Sequence, residues 1–133
     1  MADMRRRGTL REEFACRCLQ EDGYQILPRN YHSSHSEIDI IARKGETIAF
    51  IEVKMRSKTA FAAPIAYVST AQRRRIVLAA VAYLKEQGIY NTGEYQPRFD
   101  VFEVVTENAG SPVVIRHEHI PAAYDTGDLH VFV

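Results

Sequence analysis

The sequence is poor in cysteine, has no net charge and lacks long apolar runs. Because no apolar run approaches the ~20 residues that span a bilayer, we do not expect an integral membrane protein. The basic N-terminal residues are not followed by a hydrophobic segment, so no secretory signal is expected either. The two cysteines, Cys16 and Cys18, lie two apart in a predicted helix, where their side chains point away from each other. This spacing disfavours a disulfide and indicates a reducing, cytoplasmic location.

Several catalytic motifs are also absent. The chain contains no G-x-S-x-G, no P-loop and no G-x-G-x-x-G. The sequence therefore does not indicate a serine hydrolase with a nucleophile elbow or a protein with a glycine-rich nucleotide-binding loop. Lys plus Arg number 17 and Asp plus Glu number 17, whereas proteins that coat nucleic acid usually carry a basic excess. Any nucleic-acid binding would therefore depend on a local patch of charge.

The sequence does contain the pattern of one mixed α/β domain at 1–133, with a core at about 8–106 and a C-terminal strand and tail at 112–133. Helical spacing predicts helices at 9–22, from Thr9 as the cap to Gly23 as the stop, and at 70–87. Apolar runs predict strands at 24–27, 37–42, 47–53, 99–105 and 113–119. This order predicts helices that cover a central sheet.

The apolar tail at 129–133 is expected to pack on the rest of the domain or on a second subunit. A homodimer is therefore one candidate assembly.

The strands at 37–42 and 47–53 form a predicted hairpin. Both are apolar on both faces, which is typical of strands in a sheet that is covered on two sides. Asp39, Glu52 and Lys54 nevertheless lie in them, although a charge in such a strand is costly unless it is paired or binds a metal. These three residues are therefore the first candidates for chemistry.

The turn of this hairpin decides whether the three side chains meet. An even-length turn centred on Lys44-Gly45 places Asp39 opposite Phe50, with Glu52 on the diagonal and on the same side of the sheet. Lys54 follows Glu52 by two residues and shares that side. Two carboxylates and an ammonium group are then predicted to converge, whereas a turn of the other parity would separate them.

Two interpretations fit such a cluster. One is a divalent cation site, because Mg²⁺ takes oxygen ligands, often from only one or two carboxylates, and completes its shell with water and substrate phosphate. Such an ion can activate water and polarise a phosphodiester, while a nearby lysine stabilises developing charge. The other is a buried ion pair of Lys54 with Glu52 or Asp39 that serves structure only. The spacing alone supports the two equally.

The order of Asp39, a hairpin and then Glu52-Val53-Lys54 is similar to the PD-(D/E)xK motif of restriction-endonuclease-like nucleases. From about Gly8 to Val104, the chain more closely resembles the YraN-like family of small, largely uncharacterised bacterial proteins, in the restriction-endonuclease-like (Holliday-junction-resolvase-like) superfamily. The matching segments are Gly8, 12–15, 23–24, Asn30, 37–42, 50–56 and 98–101.

The resemblance implies a three-layer α/β/α restriction-endonuclease-like fold with a central mixed sheet. It also implies a Mg²⁺- or Mn²⁺-dependent DNA endonuclease, with structured or branched DNA as one candidate substrate. Asp39 and Glu52 would be metal ligands, Lys54 the charge stabiliser and Glu12 the helical acid that completes the site. A non-catalytic nucleic-acid binding module that keeps the fold is the alternative.

Further contacts to DNA phosphates are predicted for Arg56, Arg73 and Arg74, although charges on a helix surface are often only solvated. Gln72 is also predicted to lie at the nucleic-acid interface, but it stands where the family usually has a lysine, so one candidate phosphate contact is removed. Arg11 and Ser36 replace residues that are usually glycine in the family. For Arg98 and Asp100 we predict an ion pair that orders a strand. The histidines His32, His35, His117 and His119 lack the spacing of a common zinc site.

Overall fold

The computed structural model describes residues 2–27, 31–58, 68–108, 110, 113–127 and 133, and side chains from Leu10 onward. The described elements, in chain order, are α1 (Ala2–Glu21), β1 (Gln25–Ile26), β2 (Tyr31–His32), β3 (Glu37–Ile38), β4 (Ile40–Lys44), β5 (Thr47–Ser57), α2 (Thr70–Glu86), β6 (Gln96–Thr106) and β7 (Val114–Tyr124).

A five-stranded mixed sheet forms the middle layer, in the order β1-β4-β5-β6-β7. β5 and β6 are parallel, and the other neighbours are antiparallel. Parallel neighbours need a crossover connection, and α2 lies in the segment between them. β5 and β6 occupy the centre because their apolar residues point to both faces.

Each face of the sheet is covered by one helix, which gives two hydrophobic cores. On one face, α2 packs against side chains that include Phe50, Phe99 and Val101. On the other face, α1 packs against side chains that include Ile51, Phe102 and Val104. The predicted three-layer α/β/α arrangement is therefore confirmed.

The ends of the helices differ in part from the prediction. α1 begins at Ala2 and not at Thr9, because the preceding Met and Arg residues are good helix formers that outweigh Gly8. The helix ends before Gly23, whose φ of 94° suits the left-handed end of a helix. α2 begins after Ser69, which caps it, and Gly88 with a φ of 71° follows its end.

Residues 31–38, predicted as a loop followed by a strand, form a small hairpin of their own. β2 and β3 pair antiparallel as a second, two-stranded sheet. The turn between them is organised by Ser33, whose hydroxyl oxygen accepts hydrogen bonds from the backbone N–H groups of His35 and Ser36. A serine side chain that bonds the backbone in this way is a local turn signal.

β6 and β7 extend beyond the predicted strands, and the C-terminal tail is described only at its end. Val133 is half-buried and packs against the core on the α2 face, whereas residues 128–132 and 59–67 lie outside the described residues. Among the described residues, neither helix is both long and apolar enough to cross a membrane.

Candidate active site

Glu52 and Lys54 lie on the side of β5 that faces α2. Lys54 Nζ is 3.3 Å from Glu52 Oε1, and the two side chains are 23% and 14% exposed. Gln72, in the first turn of α2, donates from Nε2 to the same Glu52 oxygen at 3.2 Å. The Ser69 hydroxyl oxygen accepts the Gln72 backbone N–H, so the helix cap fixes the residue that holds Glu52. The ion pair considered from the sequence is present, between Lys54 and Glu52.

Asp39 lies where the chain passes from β3 to β4, and its carboxylate serves β5 as a hydrogen-bond acceptor. The backbone N–H of Val53 donates to Asp39 Oδ2 at 2.8 Å. Because β4 and β5 pair Ile40 with Ile51, continuing the register by one residue sets Asp39 opposite Glu52. The two acids therefore come from neighbouring segments at the same level of the sheet.

The predicted register of this hairpin was wrong by two residues. Phe50 pairs with Ile41 and not with Asp39, and Lys44 pairs with Thr47 across a turn formed by Gly45 and Glu46. Gly45 adopts a φ of 60°, a conformation that glycine takes without strain and that tight hairpin turns require. A shift of two residues preserves the parity on which the meeting of the acids depends.

Burial and the nearby charge of Glu52 together change the pKa of Asp39. Burial, followed by the charge of Glu52, raises the pKa of Asp39 from its ordinary value of 3.8 to about 7, although the Val53 N–H opposes this rise. Glu12 of α1 and Glu37 also raise the pKa of Asp39, so both of the other acids named as metal ligands act on Asp39. Carboxyl groups perturbed to this extent occur mainly at functional sites.

The number of protein ligands that the site offers is small. Within the described part of the chain, no group of three or more His, Cys, Asp or Glu side chains is placed to hold an ion. Asp39 and Glu52 form a pair, and Glu12 contributes charge from the helix on the other face. A pair of carboxylates with water as the remaining ligands is a coordination that Mg²⁺ commonly accepts.

The residues predicted to contact phosphate have different surroundings. Arg56 pairs with the buried carboxylate of Glu103 on β6. Arg73 donates from Nε to the Val68 carbonyl at 3.0 Å, and its guanidinium lies 5.6 Å from the ring centre of Tyr124. Arg74 is exposed in the first turns of α2. Arg56 therefore has a structural partner, while Arg73 and Arg74 lie near the end of α2 that holds Glu52.

Tyr124 borders the site and was not singled out from the sequence. Its hydroxyl is buried and has no hydrogen-bond partner among the residues that the structure describes. Burial, followed by the charge of Glu52, raises the pKa of Tyr124, so the hydroxyl lies near that carboxylate. Its position depends on an irregularity in the pairing of β7 with β6, which no local sequence signal reveals.

A second polar network lies on the α1 face of the sheet. Asp100, fully buried, accepts two hydrogen bonds from Arg98, one from the backbone N–H of Ala122, and contacts His119 Nε2 at 2.7 Å. The predicted Arg98–Asp100 pair is thus confirmed. Opposite Asp100, the pairing of β6 with β7 shifts by two residues, so the carboxylate holds the backbone of a bulge. This network serves structure on the face opposite to Glu52.

Comparison with known proteins shows which family the chain is similar to, but the matching names state no activity. A family profile described as "Uncharacterised protein family UPF0102" matches residues 11–104. A UPF0102 protein of Myxococcus xanthus is 35% identical over 126 residues, which cover 95% of this chain and 94% of that protein. A UPF0102 protein of Clostridium perfringens (strain SM101) is 44% identical over 93 residues, or 70% of this chain and 74% of that protein. Asp39, Glu52 and Lys54 lie within the matched segment, whereas Tyr124 lies beyond it.

Proposed function

The chain belongs to the uncharacterised protein family UPF0102, the YraN-like family that its sequence resembles, and we propose that it is a metal-dependent endonuclease that hydrolyses DNA phosphodiester bonds. One observation carries the proposal. Asp39 and Glu52, from adjacent segments of one hairpin, repel each other in a partly buried position with Lys54 beside them. A protein gains no stability from two acids that repel, so the arrangement is better explained by what it binds.

A divalent cation fits this donor set on physical grounds. Within the described residues, Asp39 Oδ1 and Glu52 Oε2 accept no hydrogen bond, because the bonds from Val53, Gln72 and Lys54 all go to the other oxygen of each carboxylate. Carboxylate oxygens are the ligands that Mg²⁺ and Mn²⁺ prefer. A cation between them would also remove the repulsion that raises the pKa of Asp39.

The side chains around the acids have separate tasks in this reaction. When bound, Mg²⁺ or Mn²⁺ would supply a water of lowered pKa and polarise the phosphodiester. Lys54 places a positive charge beside the phosphate oxygens on which charge develops. Gln72 holds Glu52 by one oxygen and Val53 holds Asp39 by one oxygen, so each acid keeps its second oxygen for the ion.

DNA is the proposed partner, with structured or branched DNA as one candidate, and a DNA substrate in a bacterial cell implies a cytoplasmic location. The chain has no overall charge to attract a polyanion, so binding would depend on the cations near the start of α2, Arg73 and Arg74. The N-terminus of a helix is itself favourable for phosphate. Affinity should then fall steeply with salt, in proportion to the number of phosphates contacted.

Cleavage assays with matched variants test the proposal. Purified protein should nick or cut DNA in Mg²⁺ or Mn²⁺, and Asp39→Ala and Glu52→Ala should abolish this while circular dichroism shows an intact fold. Glu46→Ala is a matched control, because Glu46 is an exposed acid in the turn of the same hairpin. Failure of the wild-type protein to cleave single-stranded, duplex, flap or four-way DNA would refute the proposal.

A second candidate is a nucleic-acid binding module that retains the fold without turnover. It is favoured by Lys54, which is already paired with Glu52, and by the neutral Gln72 at the start of α2. Metal titration separates the two. A true site should raise the free energy of unfolding by about 2.7 kcal/mol at a Mn²⁺ concentration 100 times Kd, whereas a module without a metal site should show no such rise.

A further inference from the structure

β7 forms one edge of the five-stranded sheet. Its regular part runs from Val114 to Ile120, between two irregularities in its pairing with β6. Pro121, which follows, has no N–H to offer a neighbouring strand, and the N–H of Ala122 is already donated to Asp100. The edge that can accept another strand is therefore the seven-residue stretch 114–120, whose midpoint is His117.

Two exposed apolar side chains lie at the start of this edge. Among the described residues, the large hydrophobic side chains that are exposed are Leu10, Met55, Val113 and Ile115, at 37% to 58%. Val113 and Ile115 flank the first residue of β7. Met55 pairs with Val104, which pairs with His117, and Leu10 lies one helical turn before Phe14, whose ring contacts His117. Val113 and Ile115 therefore lie on the edge itself, and exposed apolar residues that lie together mark interaction surfaces.

Two charges in the middle of the edge have no ion-pair partner in the part of the chain that the structure describes. Arg116 and Glu118 are exposed and form no ion pair with any residue that the structure describes. Glu118 stands directly opposite Glu103 of β6, whose carboxylate is paired with Arg56. Like charges directly opposite each other are unfavourable, and no cation of the described residues pairs with Glu118 to offset this.

A second copy of the same strand would supply that cation. In an antiparallel pair with a two-fold axis at His117, Val114 faces Ile120, and Arg116 of each copy faces Glu118 of the other. We propose that two copies of this chain associate through β7 in this way, so that the two sheets continue into one. Such an interface is isologous, and it adds a strand to an open edge by the same main-chain hydrogen bonds that peptide ligands use.

Charge reversal at the two central positions tests the proposal by sedimentation equilibrium. Wild-type protein should be a dimer at micromolar concentrations. Arg116→Glu and Glu118→Arg should each raise the dimer Kd at least about tenfold, since each change acts twice across the axis. The double variant R116E/E118R should restore dimerisation, because the opposite charges again face each other.

The controls separate a lost interface from a lost fold. All variants should unfold at the same urea concentration when diluted to the monomer, and Glu94→Arg, a reversal in an exposed loop, should dimerise like the wild type. A monomeric wild-type protein, single variants that dimerise normally, or a double variant that stays monomeric would each overturn the proposal. The assay uses no DNA and no metal, so it does not depend on the proposed nuclease function.

Discussion

Replacing Asp39 by asparagine should stabilise the protein at pH 8 while abolishing the divalent-cation binding that we propose. The asparagine amide keeps an oxygen that can accept the Val53 N–H, so the local structure is retained. What is lost is a negative charge that burial and Glu52 make unfavourable. The substitution would abolish the proposed cation binding and raise the free energy of unfolding. This combination is expected of a residue that is kept for binding and not for stability.

The size of the effect follows from the pKa of Asp39. Its rise from 3.8 to about 7, at about 1.4 kcal/mol for each pH unit, sets an upper limit of about 4 kcal/mol. Because the folded protein holds this proton more tightly than the unfolded chain, stability from Asp39 is fully present below about pH 4 and is lost as the pH rises through about 7. We therefore expect Asp39→Asn to raise the free energy of unfolding by about 1–3 kcal/mol at pH 8, and by much less at pH 4.

Urea denaturation at pH 4, 6 and 8 in the presence of EDTA measures this dependence, with Glu46→Gln as the control for removing one exposed acid. Repeating the pH 8 series with Mn²⁺ should stabilise the wild type and leave Asp39→Asn unchanged. A variant that is less stable than the wild type at pH 8 would show that Asp39 is a structural acid with favourable partners. That result would remove the main support for a metal site.

Three further predictions concern the surroundings of the site. Arg56→Ala should lower the free energy of unfolding by about 3–5 kcal/mol, because it leaves the buried carboxylate of Glu103 without its cation; a loss below 1 kcal/mol in urea denaturation would contradict this. Tyr124→Phe should leave the free energy of unfolding unchanged or slightly higher, since the hydroxyl removed has no partner among the described residues, and a clear loss in the same assay would show that it does have one. Burial alone would raise the pKa of Asp100, but hydrogen bonds from His119 and Arg98 hold it below 3.8. Stability from Asp100 is thus present above about pH 4 and falls as the pH drops through the lower folded pKa. Asp100→Asn should abolish that acid-dependent loss, and an acid unfolding curve with the wild-type slope would refute the assignment.

The sheet and the meeting of Asp39, Glu52 and Lys54 could be predicted because they depend on local patterns. Runs of β-branched and aromatic residues indicated β5 and β6, and the parity of a short turn was enough to place Glu52 and Lys54 on the face they occupy. The exact register could not be predicted, because several two-residue turns fit the segment 43–46 and only the backbone angle at Gly45 selects one. The start of α1 was missed because Gly8 suggested a boundary that its neighbours override.

The contacts that could not be predicted are those made across the sheet or from a distant element. Gln72 was predicted to lie among the nucleic-acid-binding residues, in place of a lysine. Its bond to Glu52 depends on where the helix crosses the sheet. Tyr124 reaches the site only because Asp100 holds a bulge in β7. Sequence spacing predicts neither the Gln72–Glu52 bond nor the position of Tyr124, because each depends on how separate elements pack.

The parallel pairing of β5 with β6 has a consequence for the order of folding. The hairpin that carries Asp39 and Glu52 can close early from contacts near in sequence, but Gln72 and Tyr124 join it only after the chain has passed through α2 and returned along β6. Closing such long-range contacts is slow, because chain entropy opposes it until the final elements dock. A nascent chain that ends before β6 would therefore carry Asp39, Glu52 and Gln72 without the strand that pairs with β5 and without Tyr124, so the candidate site would be complete only when most of the polypeptide had been made.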